Sequence, residues 1–417
     1  MTNAALTTST APARDRIRRA LLPAGRRYVA LPSRRHPVVI AEDRAAVLAY
    51  VRETLLAVPP PLPVWLYPAA RAALSVPAVR RCVPRLTVGA RGDGAPDEVG
   101  RLLGTAASVV LLDHSHDPDA RLVLLVFPPG AALPSLAVKV PTGPGAAAGV
   151  VREADRLRAV AALPLGAVRA TVPAVLALLR HDGLPALATT AVPGVPMLVA
   201  YHRPAHHARP APVRADFTAA AHWLTALQSA TVRGGASLDL APHVTDLLGP
   251  RLNAVARRRL DALRLRLGRY TAPLTAVHGD FWPGNVLVRD GRVSGVVDWE
   301  HARTAGSPLA DPARFVVAYC EYLDRRTRPG RRVPGHPGLV AGRPGAALAY
   351  ALEGSGWYPR LVRGFVTAAL RRLGLPDGCG RDVVLAELAA VAAEATDPDF
   401  ALAQTLAFDR LIREEAA

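Results

Sequence analysis

Apolar positions follow two different patterns, and their order divides the chain. Ser108–Leu112, Leu122–Phe127 and Leu136–Val140 are short runs rich in Val and Leu, with turn residues between them, which predicts an antiparallel meander. Val175–Leu179 and Ala186–Val192 add two further strands around an Asp182-Gly183 turn. Between these groups, Val150–Leu163 carries apolar residues at Val150, Ala154, Leu157 and Ala161, the spacing of a helix. After about residue 210 the pattern is helical: Phe217–Ala230, Val244–Leu267, a helix from Asp311 to about Leu323, then Leu361–Leu373, Asp382–Ala393 and Phe400–Arg413. Asp311-Pro312 reads as a helix cap followed by a first-turn proline, a structural role.

The first hundred residues are mixed. Residues 1–25 read as a flexible tail or short helix, and Tyr28–Leu31 with Val38–Ile40 as a hairpin. Ala41–Leu56 has helical periodicity and ends at Pro59-Pro60-Pro61. Trp65–Val83 combines Trp65, Tyr67, leucines and arginines, a composition suited to weak contact with a membrane surface. Its shortness and its interruption by Pro68 and Pro77 favour packing against the next domain instead. Gly92–Pro96 reads as a linker. The expected division is a tail (1–25), an N-terminal α/β extension (26–100), a sheet-based lobe (101–193) and a mainly helical lobe (194–417), an α+β class.

Composition narrows the function classes. At 417 residues, half of them hydrophobic, the chain has material for two or three cored domains. Its net charge of +17 comes almost entirely from scattered arginines, with no basic stripe interleaved with aromatics, so nucleic acid is not the indicated partner. Cys82, Cys320 and Cys379 form neither a metal spacing nor a disulfide framework. His202, His206 and His207 lie in a Pro/Arg-rich stretch without further convergent ligands and read as a solvated loop rather than a zinc site. The N-terminus lacks the apolar core of a signal peptide, and prolines break the long uncharged stretch Gly183–Tyr201, so the expected location is cytoplasmic.

Candidate chemistry concentrates in Val277–Glu300, V-H-G-D-F-W-P-G-N-V-L-V-R-D-G-R-V-S-G-V-V-D-W-E. Asp290-Gly291 is a two-residue hairpin turn between two apolar runs. With that turn, Asn285 is expected opposite Val296, and Asp298 two residues further along the same face. An amide oxygen and a carboxylate are hard ligands suited to Mg²⁺ shared with phosphate oxygens. Asp280, five residues before Asn285, is placed to take a proton from an incoming hydroxyl.

The segment resembles the catalytic loop of the aminoglycoside phosphotransferase-like family, small-molecule relatives of protein kinases, whose H-x-D-x-x-x-x-N, hairpin, D pattern falls on His278, Asp280, Asn285 and Asp298. The resemblance spans about residues 105 to 415 and implies a bilobal protein-kinase-like fold using ATP and Mg²⁺. It implies His278 and Asp280 as the catalytic pair, with Asp280 the base, and Asn285 and Asp298 as metal ligands.

Lys139 is the only lysine in an arginine-rich chain, and it sits in an apolar strand. A compact ammonium is not interchangeable with a guanidinium, and a third-strand lysine in such a lobe contacts ATP phosphates and pairs with a helix glutamate. Glu153 is the expected partner and Asp155 its competitor. The turn Asp113–Ala120, where the family places small flexible residues over the phosphates, has three aspartates and no glycine; Ser115 is its candidate phosphate donor. Thr189 to Val192, with Thr190 and Val192 as leading candidates, are expected to meet the adenine edge, followed by Pro193–Pro196 as the hinge. Arg325–Pro344 reads as an exposed insertion. The resulting expectation is a kinase acting on the hydroxyl of a sugar, glycoside or aminoglycoside-like molecule. The alternative is a non-catalytic nucleotide-binding regulator on the same scaffold. Near-equal acids and bases after Glu300 favour a neutral or anionic acceptor.

Overall fold

The structure, a computed structural model, describes residues 10–57, 66–76, 78, 81–88, 97–104, 106–113, 120–240 and 242–413. Among these, eight antiparallel strands form one sheet: β1 (Arg27–Pro32), β2 (Pro37–Glu42), β3 (Arg85–Thr87), β4 (Ser108–Leu112), β5 (Arg121–Phe127), β6 (Leu136–Pro141), β7 (Val175–His181) and β8 (Leu184–Thr190), in the order β3-β1-β2-β4-β5-β6-β8-β7. The predicted meander is present, with Val123 opposite Lys139 and Lys139 opposite Leu187. Asp182 and Gly183 both have positive φ and form the tight turn between β7 and β8. The strands of residues 27–87 do not build a second sheet; they continue this one through pairing of β2 with β4.

The unbroken apolar runs have a packing reason. Both faces of the sheet are covered, so consecutive residues enter different cores. Tyr28, Ile40, Val109 and Leu124 pack with Leu21 of helix α1 (Thr10–Leu21) and the following Leu22 on one face. Val29, Ala41, Val110 and Leu125 pack with Val47, Leu48 and Leu74 on the other. The helix predicted from Ala41 starts only at Ala45, because β2 runs on to Glu42. Trp65 and the Gly92–Pro96 linker lie outside the described residues.

Helix α2 (Pro144–Ala161) packs Val150, Ala154 and Leu157 into the large core of the second lobe. The chain then contributes β9 (Val195–Pro196), β10 (Arg233–Ser237), β11 (Thr271–Val277), the hairpin β12 (Val286–Arg289) and β13 (Arg292–Val296), and β14 (Arg303–Gly306). The helices that frame the site are α3 (Pro210–Thr231), α4 (Ala310–Glu321) and α5 (Gly380–Glu394). Phe281 stacks on Trp223 of α3 with centroids 5.0 Å apart, and Trp299 is fully buried. The aromatic residues Phe281 and Trp299, next to Asp280 and Asp298, therefore fix both ends of this segment in the core. Among the described residues no helix is long and apolar enough to cross a membrane.

Two expectations are corrected here. The histidine cluster is packed rather than solvated: His202 is buried, His206 Nε2 lies 2.8 Å from Asp216, and His207 stacks on Tyr201. Arg325–Pro344 is not simply an exposed insertion, since a small hairpin, β15 (Arg332–Val333) and β16 (His336–Val340), buries Val333, His336 and Leu339 against the second lobe.

Asp113, at the end of β4, is buried. It accepts hydrogen bonds from Arg18 Nε at 2.6 Å and Arg14 Nε at 3.2 Å, both from α1. The first acidic residue of the glycine-free turn is thus neutralised by the N-terminal helix. Asp113→Asn is expected to cost about 1–3 kcal/mol in denaturant unfolding and to leave nucleotide affinity unchanged. A loss of affinity at unchanged stability would instead place Asp113 at the nucleotide.

Candidate active site

Lys139 on β6 extends across the sheet face to Glu153 on α2, with Nζ 2.6 Å from both carboxylate oxygens. The same ammonium lies 2.9 Å from Asp298 Oδ1, 159 residues away in the chain. Glu153, rather than Asp155, is the partner. Asp155 sits on the outer side of α2 against Arg158. Glu153 also accepts the Trp299 N–H at 3.2 Å, which ties the helix to the segment carrying Asp298. Burial acts against the Lys139 charge, yet Asp298 and Glu153 raise its pKa above the ordinary lysine range. Burial likewise opposes ionisation of Asp298, but Lys139, then Arg121, hold that carboxyl well below the usual carboxylate range.

The hairpin turn at Asp290-Gly291 is present, with Arg289 opposite Arg292. The predicted pairing of Asn285 with Val296 is off by one. A bulge at Ser294 shifts the register, so Val286 faces Val296 and the Asn285 carbonyl accepts the Val297 N–H at 2.9 Å. Asp298 therefore does not reach the site by strand alternation; β13 ends at Val296, and Asp298 turns with φ of 70°, a left-handed conformation rare outside glycine. The bulge has a packing reason. The Ser294 hydroxyl donates to the Pro193 carbonyl at 2.6 Å, and Gly194, at φ 130°, has no room for a Cβ because Ser294 Oγ would lie 2.3 Å from it. The hinge and the catalytic hairpin are fitted to each other.

Asp280 projects into a cleft of about 640 Å³ that Trp282, Tyr322 and Arg325 also line. Its Oδ1 accepts from Arg314 of α4 at 2.7 and 3.0 Å, and its Oδ2 accepts from Asn285 Nδ2 at 2.9 Å. With Nδ2 donating to Asp280, the Asn285 side chain keeps its carbonyl oxygen for another partner. That oxygen and the part-exposed Asp298 carboxylate form a hard-oxygen donor pair that fits Mg²⁺, an ion that usually takes one or two protein carboxylates plus phosphate and water. His278 is fully buried: Nε2 donates to the Val297 carbonyl at 3.0 Å, and Nδ1 accepts the Asp280 N–H at 3.2 Å.

Asp311 is not the helix cap. Helix α4 begins at Ala310, and the buried Asp311 carboxylate turns back to accept the backbone N–H groups of His278 at 2.7 Å and Gly279 at 2.9 Å. Gly279 needs both its φ of 82° and its missing side chain, since a Cβ would lie 2.3 Å from the His301 carbonyl oxygen. Thr190 donates its N–H to the Ala174 carbonyl at 3.0 Å, and Ala191 donates to Ser135 at 2.9 Å. Those two amides are spent within the sheet, whereas Val192 leads into the hinge and its side chain occupies the space above Gly295. Ser115 lies outside the described residues.

Sequence reasoning missed Arg121, Arg314 and Glu387, and read Asp311 as a helix cap. Arg314 and Asp311 lie three residues apart on one helix just after the catalytic segment, a spacing that places them side by side. Arg121 and Glu387 carry no comparable local signal. Glu387 of α5 lies 3.7 Å from Arg314, and burial pushes its carboxyl up to about 8 although Arg314 opposes the shift. A carboxyl whose folded pKa is raised contributes stability that is complete below its unfolded pKa and lost as pH rises through the folded value. Thermal stability of the parent is therefore expected to decline between about pH 4.5 and 8 relative to Glu387→Gln, as read by parallel thermal melts. Parallel curves across that range would mean that Glu387 stays ionised.

Residues 123–344, over half of the chain, match the phosphotransferase enzyme family. No curated protein matches the chain in sequence. Among solved structures it is similar to a thermostable mutant of aminoglycoside phosphotransferase APH(4)-Ia in ternary complex with ADP and hygromycin B, at 15% identity, covering 75% of this chain and 92% of that one, with a TM-score of 0.43. It is also similar to macrolide 2'-phosphotransferase MphH from Brachybacterium faecium, at 16% identity, 73% and 93% coverage and a TM-score of 0.38. A glucosamine kinase shares 16% identity, with 74% and 94% coverage and a TM-score of 0.38.

Proposed function

The chain belongs to the phosphotransferase enzyme family, and from that premise we propose that it transfers the γ-phosphoryl group of ATP to a hydroxyl of a small, neutral, polyhydroxylated acceptor such as a sugar or glycoside. The observation that carries this reading is the Lys139–Glu153–Asp298 cluster, which collects three charged groups from two lobes within hydrogen-bond distance, beside an Asp280 that opens on a cleft. In this reading Lys139 holds nucleotide phosphates, Val192 meets the adenine edge, and Asn285 with Asp298 holds Mg²⁺. Bound Mg²⁺ supplies positive charge against the phosphate oxygens. Asp280, oriented by Arg314 and Asn285, accepts the hydroxyl proton as the acceptor oxygen bonds to the γ-phosphorus. The bond from that phosphorus to the bridging oxygen breaks, and ADP leaves with the electron pair. His278 positions the loop rather than touching the acceptor, because both ring nitrogens are engaged within the chain.

The acceptor class follows from how the cleft spends its charges. Its four arginines have partners within the chain: Arg314 with Asp280, Arg325 with Glu321, and Arg121 and Arg152 both with Glu300. A site neutralised in this way gains little from a highly charged ligand. Trp282 and Tyr322, parallel within 12° and 6.2 Å apart, line the cleft as a stack with the Arg325 guanidinium 4.0 Å over the Tyr322 ring, an aromatic and polar wall suited to an uncharged ligand.

Asp280→Asn is expected to reduce turnover by about 10²–10⁴-fold while MgATP binding by calorimetry stays near the parent value, since this side chain faces the acceptor. Near-parental turnover would remove Asp280 as the base. Asp298→Ala is expected to weaken MgATP binding itself, and unchanged affinity for MgATP would remove Asp298 from the metal. A phosphate-transfer screen over neutral sugars, glycosides and aminoglycosides tests the acceptor class. Turnover confined to polycationic acceptors would overturn it.

A further inference from the structure

Arg121 has no role in the machinery described so far, yet the site is built around it. It is the first residue of β5, immediately after the glycine-free turn. Its side chain does not run out to solvent but turns toward Glu300, leaving 18% exposed. Nη2 lies 2.6 Å from both carboxylate oxygens of Glu300, two residues beyond Asp298. Nη1 stands 3.7 Å from Asp298 Oδ1 and 3.9 Å from Glu153 Oε2. The guanidinium thus lies beside the Lys139 cluster, on the side that opens into the cleft containing Asp280.

Helix α2 supplies an independent observation. Gly149 sits in its middle, where glycine costs about 1 kcal/mol relative to alanine. A Cβ at Gly149 would stand 3.0 Å from both Arg121 Nη2 and Glu300 Oε2. The missing side chain at Gly149 leaves space on this helix for the guanidinium.

Resting on the phosphotransferase reading above, we infer that Arg121 binds the γ-phosphate of the nucleotide, taking over a task for which the Asp113–Ala120 turn has no glycine backbone. Chemistry and position agree. A guanidinium presents a planar fork that matches phosphate oxygens, and its hydrogen bonds to an anion are among the stronger ones. Lys139, a point charge already shared by two carboxylates, suits the inner phosphates, and Arg121 lies further toward the acceptor cleft, where the terminal phosphate must meet the hydroxyl. Glu300 acts as the counter-ion that parks the fork in this position when the phosphate is absent. As charge spreads over the transferring group between acceptor oxygen and ADP, the fork stands ready to stabilise it.

The test compares two nucleotides that differ only in the γ-position. With the full chain and Mg²⁺, dissociation constants for AMP-PNP and ADP are measured by calorimetry on the parent, Arg121→Ala, Arg121→Lys and Glu300→Gln, with thermal melts of each. Arg121→Ala is expected to lose about tenfold or more in AMP-PNP affinity with ADP affinity held, and Arg121→Lys to recover only part of it. Glu300→Gln is expected to keep the AMP-PNP preference because the fork is retained. If Arg121→Ala weakens both nucleotides equally, or neither, the inference fails. If Arg121→Ala and Glu300→Gln lower the melting temperature alike and leave the AMP-PNP to ADP ratio untouched, Arg121 is only a latch between sheet and second lobe. A parent that binds neither nucleotide would sink the underlying phosphotransferase reading instead, an outcome distinct from either of these.

Discussion

A single ammonium holds the two lobes in register. Lys139 is shared by Glu153 and Asp298 at 2.6 and 2.9 Å, and the three groups come from β6, α2 and the segment after β13. Removing Lys139 would leave the buried Glu153 and Asp298 carboxylates without their shared ammonium, which is far more costly than replacing the whole group. The positions of the sheet, its helix and the catalytic hairpin are therefore mutually conditional. Arg121 and Arg152 extend the cluster to Glu300, so three positive side chains face the carboxylates of Glu153, Asp298 and Glu300.

The loop that carries Asp280 depends on a second buried carboxylate, with the opposite task. Asp311 holds backbone N–H groups rather than a side-chain cation, and in doing so fixes the left-handed Gly279 and the start of the loop. Three residues further along the same helix, Arg314 grips the Asp280 carboxylate. One helix turn thus sets both the path of the loop and the direction of its acid. Glu387 behind Arg314 lengthens this chain of contacts into α5, so Asp280 is supported through successive side chains.

Most of this arrangement was legible where chemistry and local pattern coincide. The spacing of His278, Asp280, Asn285 and Asp298 was readable because a hairpin turn and a loop of fixed length allow few geometries. Lys139 was readable because composition isolates it. The off-by-one register was not, since the Ser294 bulge arises from a hydroxyl reaching a hinge carbonyl about a hundred residues earlier in sequence. Asp311 was misread because Asp-Pro at a helix start has a local explanation, and only the fold brings the loop amides to it. Arg121 was hidden for the reason Lys139 stood out: one arginine among many carries no signal until its partners are in place. The histidine cluster and the 325–344 segment were taken for solvent-exposed loops because their burial comes from long-range contacts, such as His206 with Asp216 and His336 with the His207 carbonyl.

The N-terminal strands belong to the frame of the site. Without β1 and β2, strand β4 would present a free edge, a surface that sheets rarely leave uncovered. Pairing with β2 closes that edge, and β1 with α1 buries Tyr28, Leu21 and Leu22 over the face that also holds Leu122 and Leu124 of β5. The same helix delivers Arg14 and Arg18 to Asp113 at the end of β4. An aspartate that would otherwise repel phosphate is thereby turned away and neutralised from behind. Eight residues after Asp113, the chain re-enters the sheet as β5 with Arg121 lining the cleft. The extension and the missing glycines are then two sides of one solution: the turn needs no flexible backbone over the phosphates if a strand held rigid on its outer side can present a guanidinium to them.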